Sequence, residues 1–95
     1  MFIVILRFTG NENLLAELME AHMACIKKGF DDGIFLVGGP IEPNMGGVLI
    51  AHGITRFELE ERVSRDPFVA ERVVEAEIIE ITPLNMDKRL EPILR

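Results

Sequence analysis

The sequence has no tryptophan and no tyrosine, one cysteine (Cys25) and two histidines, His22 and His52. A lone cysteine cannot close an internal disulfide, so the fold must be held by its core. Two histidines exclude a multi-histidine metal site within one chain. No nucleotide-binding glycine fingerprint is present either, and the expectation is a protein with no metal and no cofactor. Basic residues are scarce: ten Lys and Arg stand against sixteen Asp and Glu, a formal charge of −6. Such a chain lacks the cationic field that nucleic-acid phosphates or an anionic membrane surface would require. Long apolar runs are missing too. The stretch from Phe2 to Leu6 ends at Arg7, far short of the ~20 residues that cross a bilayer, and no basic segment precedes it as in a secretory signal. These absences predict a cytoplasmic protein.

What is present suits one small globular unit. The chain has 95 residues, 48% of them hydrophobic. The reading is a single domain over 1–95, with its core in 1–83 and a tail over 84–95 that has no clear period. Met1 to Phe8 reads as a strand, rich in Ile, Val and Phe on both faces. From Glu12 to Phe30 the spacing turns helical, with Leu15, Leu18, Met19, His22, Ile26 and Phe30 on one stripe. Acids lead this helix and lysines trail it, as the helix dipole favours, and Asp31-Asp32-Gly33 ends it. Ile34 to Val37 reads as a second strand broken by Gly38-Gly39-Pro40, and Val48 to Ala51 as a third. Thr55 and Glu58 have capping-box spacing before a helix with Phe57, Leu59 and Val63 as its core contacts. Asp66-Pro67 restarts a short helix, and Ala76 to Thr82 reads as the last strand, closed by Pro83.

The order β-α-β-β-α-β predicts an α+β, ferredoxin-like fold: a four-stranded antiparallel sheet with two helices on one face. The first and last strands carry large apolar residues on both sides, so the face without helices needs a cover. A homodimer packed through the sheet faces is the expected solution.

His22 stands out because it falls on an apolar helical stripe. A histidine there is either a core residue satisfied by a backbone carbonyl or a general acid–base, the task its near-neutral unperturbed pKa suits. A histidine base usually needs a carboxylate to orient it. Asp66 is the acid that stands apart, because its Asp-Pro-Phe context sets it at a helix junction. An N-cap role and a catalytic one are compatible there, since a carboxylate offers several acceptor sites. Arg7, the one charge in the first strand, is either a rim residue paired with an acid or an anchor for an anionic substrate. Gly39 and Pro40 mark a turn that also lets backbone approach a ligand. Cys25 reads as a small packing residue.

The ordered set of an N-terminal strand, His22 on the first helix, Gly33 closing it, Leu36-Val37-Gly38-Gly39-Pro40, Gly46-Gly47-Val48, Asp66-Pro67-Phe68 and Glu77-Ile78-Ile79-Glu80-Ile81 resembles the YciI-like family, the YCII-related domain. The resemblance spans residues 1–83. It implies a dimeric α+β barrel, related in fold to muconolactone isomerase and small quinol monooxygenases. It also implies a His–Asp pair, which maps onto His22 and Asp66, with a pocket between helices and sheet. Some members eliminate chloride from chlorinated hydroxylated aromatics. The chain departs from its relatives at Cys25, where an aromatic is common, and at Leu84, where an aromatic often follows the proline.

Two functions follow as expectations. One is a cofactor-independent lyase or isomerase in which His22 moves a proton, Asp66 orients it, and Arg7 or backbone near Gly39 and Pro40 holds the small-molecule substrate. The other is a non-catalytic ligand-binding or accessory module in which the same pair is structural. A pure interaction protein has little support in the acidic charge.

Overall fold

In the computed structural model, which describes residues 1–94, the chain runs as β1 (Phe2–Phe8), α1 (Leu15–Asp31), β2 (Phe35–Ile41), β3 (Gly46–Ala51), α2 (Arg56–Ser64), α3 (Pro67–Ala70) and β4 (Val74–Glu80). A 3-10 turn over Lys88–Leu90 and one last helical turn, α4 (Glu91–Leu94), follow. The strands form one antiparallel sheet in the order β2-β3-β1-β4. This is the α+β, ferredoxin-like arrangement.

Strand periodicity decides which side chains meet the helices. Phe2, Val4 and Leu6 on β1 are buried, as are Leu49 and Ala51 on β3, and they cluster with Leu59, Val63 and Phe68 of the helical layer. Ile3 and Ile5 point the other way. Directly opposite them on β3 lie Ile50 and Val48. None of these four is fully buried, and Val37 and Ile79 beside them are exposed. The open face of the sheet is therefore apolar at its centre. On β4, however, that face also carries Glu75 and Glu77, so the last strand is less apolar on its open side than its composition suggests.

Local chemistry explains the element ends. Gly33 takes φ +74, and its amide donates to the Phe30 carbonyl where α1 stops. The Thr55 hydroxyl accepts from the Glu58 amide at the start of α2, while the Glu58 carboxylate accepts from that hydroxyl, so the reciprocal half of the capping box is not formed. Asp66 caps α3, with Pro67 at its first position.

Three expectations are corrected. Gly38-Gly39-Pro40 does not break β2 but lies inside it; β2 is one of the two border strands, where Pro and Gly are tolerated. Phe57 is 69% exposed rather than in the core, because the first turn of α2 points it to solvent. Met19 and Phe30 on the α1 stripe are exposed as well. Both line a hollow, and Phe30 also meets Phe35 of β2 edge to face.

Candidate active site

That hollow, of about 530 Å³, lies between α1 and the β2–β3 end of the sheet. Met19, His22, Met23, Ile26 and Phe30 contribute from α1, and Gly38, Gly39, Pro40 and Gly47 from the strands. Among the described lining residues none is Asp, Glu, Lys or Arg; the polar side chains are His22 and Asn44.

His22 and Asp66, 44 residues apart in the chain, are in direct contact. Nδ1 of His22 lies 2.7 Å from Oδ1 and 2.9 Å from Oδ2 of Asp66. An ionised carboxylate only accepts, so Nδ1 carries the proton and Nε2 of the neutral ring carries the lone pair. The aspartate is 3% exposed. A buried carboxylate needs donors on every side, and a second one is the amide of Phe68, 3.1 Å from Oδ2. The Asp-Pro-Phe junction thus spends one carboxylate oxygen on capping α3 and turns both toward the histidine. Phe68, buried under the same turn, stacks on the imidazole.

Cys25, one turn after His22, borders the other side of Asp66. Burial first, and then the charge and hydrogen bonding of Asp66, push its thiol pKa up, while Arg62 opposes them.

Of the residues singled out in the sequence, the structure brings together His22 and Asp66, and it lines the same cavity with Gly39 and Pro40. Arg7 is not among them. It shares the open face with Ile3 and Ile5, and its guanidinium donates to Glu77 Oε1 at 2.7 Å. The alternation along β1 puts it on the far side of the sheet from the cavity, paired there with an acid. Phe68 and Asn44 were not anticipated as lining residues. For Phe68 the signal lay in its place two residues after the capping aspartate. Nothing in the sequence marks Asn44.

Among the described residues, no three His, Cys, Asp or Glu side chains cluster as a metal site, and no helix is long and apolar enough to cross a membrane.

Comparison with known proteins adds three findings. The YCII-related domain matches residues 1–84. No curated protein matches the sequence. Among solved structures, the fold is similar to that of 5-chloro-2-hydroxyhydroquinone dehydrochlorinase from Burkholderia phenoliruptrix AC1100, in complex with 2,5-dihydroxybenzoquinone: TM-score 0.68, 20% identity, over 86% of this chain and 94% of that one. At that identity the likeness is one of fold.

Proposed function

The chain belongs to the YCII-related domain family, and from that footing we propose that it is a small lyase or isomerase using His22 and Asp66 for acid–base chemistry on a small molecule. The observation that carries this reading is the two-oxygen contact of Asp66 with His22 Nδ1, on a ring that lines an open cavity. Nε2 of His22 takes a proton from a substrate carbon or hydroxyl. In an elimination, the freed electron pair forms the new double bond and expels the leaving group. In an isomerisation, the imidazolium returns the proton to another atom. Asp66 holds the tautomer and faces the imidazolium while it exists. The dehydrochlorinase activity of the fold neighbour supports the elimination branch. Such proton transfer supplies about 10²–10⁴-fold in rate.

A homodimer through the open sheet face belongs to the same proposal. Its support is the opposed Ile3–Ile50 and Ile5–Val48 pairs, which lie on the side away from the core cluster. The one free cysteine supports a reducing, cytoplasmic setting.

The test is turnover of hydroxylated and chlorinated ring compounds by the wild type and by His22→Asn. Product from the wild type and a loss of about 10²-fold or more in a folded variant are expected. Equal rates would remove His22 as the base. Tight binding with every compound returned unchanged would favour the binding-module reading.

A further inference from the structure

The inner face of the sheet is bare at part of the cavity that His22 lines. The inward positions there are Gly38 on β2 and Gly47 on β3, with Pro40 directly opposite Gly47. The glycines in this region are not equivalent. Gly46 has φ +129, and a Cβ on it would collide with the carbonyl of Leu6, so the backbone itself demands glycine. At Gly38 a Cβ would come 2.5 Å from Cδ2 of Leu49. Gly47 has neither constraint. Its φ lies outside the left-handed region, and an added Cβ would meet only the Gly39 carbonyl oxygen, at an ordinary 3.6 Å.

A glycine inside a strand weakens it, and where the backbone does not require one, it marks a place that something else approaches closely. Leu6 beside Gly47 and Leu49 two residues on both point inward, so a side chain on Gly47 would grow into the cavity. We infer that Gly47 sets the ligand specificity of the cavity: its bare backbone is the floor on which a flat, uncharged, hydroxylated ring lies. The inference rests on the proposal that this cavity is the ligand site.

The lining favours that chemical class. Without an Asp, Glu, Lys or Arg among the described lining residues, a phosphate or dicarboxylate would be stripped of water with no counter-charge. Met19 and Met23 line the same cavity as Gly47, and their thioethers adapt to an aromatic surface. Ring hydroxyls have His22 and Asn44 as polar side-chain partners.

The experiment is an NMR titration of the wild type, Gly47→Ala and Gly47→Val with hydroquinone, and with inorganic phosphate as a contrast. Thermal melts of all three proteins accompany it. Hydroquinone should shift wild-type signals around His22 and Gly47, whereas phosphate should not. Gly47→Ala should weaken that binding on the order of tenfold, and Gly47→Val should abolish saturation. Both variants should melt at or above the wild-type temperature, because the strand gains a side chain. Shifts around His22 with unchanged affinity in both variants would overturn the role of Gly47 alone. A fall in melting temperature in both would make it a structural glycine and overturn it too. Hydroquinone shifts remote from His22, or none in the wild type, would overturn the ligand site together with the inference.

Discussion

The ring of Phe68 lies flat against the imidazole of His22, with centroids 4.0 Å apart and planes within 8° of parallel. Asp66 meets the same imidazole at Nδ1. One short segment, Asp66-Pro67-Phe68, therefore grips the histidine twice, in its plane and across its face. The aspartate stops the ring from rotating about χ2, and the phenylalanine stops it from tilting. When the imidazole takes up a proton, its charge sits between a carboxylate and an aromatic face, both of which attract cations.

The two roles of Asp66 can be separated by substitution. Asparagine caps helices about as well as aspartate, so Asp66→Asn keeps α3 and leaves the melting temperature near wild type. It removes the charge that faces the imidazolium, and kcat should fall by roughly 10²-fold or more. Asp66→Ala loses the cap as well and should cost about 1 kcal/mol of stability in chemical denaturation. If Asp66→Asn turns over at the wild-type rate, the aspartate is a cap and nothing more.

Cys25 gives a dependence on alkaline pH. Burial first, then Asp66, raises its folded pKa above the ordinary 9.0. The unfolded chain therefore loses the thiol proton first. The stabilisation is complete below pH 9.0 and disappears as pH rises through the folded value. A melting series should decline over that alkaline range in the wild type and decline less in Cys25→Ala. Alkylation of Cys25 by iodoacetamide at neutral pH should also be slower than that of free cysteine. Alkylation at the free-cysteine rate would contradict the raised pKa.

The open sheet face is tested by charge. Ile3→Lys places a cation between Ile50 of β3 and Ile79 of β4, where a dimer would bury it among apolar side chains. Sedimentation should give the wild type twice the mass of one chain and the variant the mass of one. A wild type that sediments as a single chain at micromolar concentration would refute the dimer.

The fold was legible because its signals are local. Helical spacing, a glycine after Asp31-Asp32 and a proline after Asp66 each act within a few residues, and each marks an element end in the structure. The strand face of Arg7 was half legible: period-two alternation groups it with Ile3 and Ile5, but both faces of β1 are apolar, and only the packing of the helices on Phe2, Val4 and Leu6 decides which set is buried. The meeting of His22 with Asp66 was not legible from spacing, because it depends on the packing of α1 against α3 across 44 residues. The family resemblance supplied it. Gly38-Gly39-Pro40 misled because propensity describes an average strand, while β2 occupies a border where the outward amide has no partner to lose.

That border position has one more effect. An outermost strand offers its free amides to any extended chain that drifts past, and this is how sheets grow into fibrils. Pro40 has no amide hydrogen to offer, and Gly38 and Gly39 beside it form strands weakly. The segment that leaves the cavity roomy is thus also a poor template for amyloid growth.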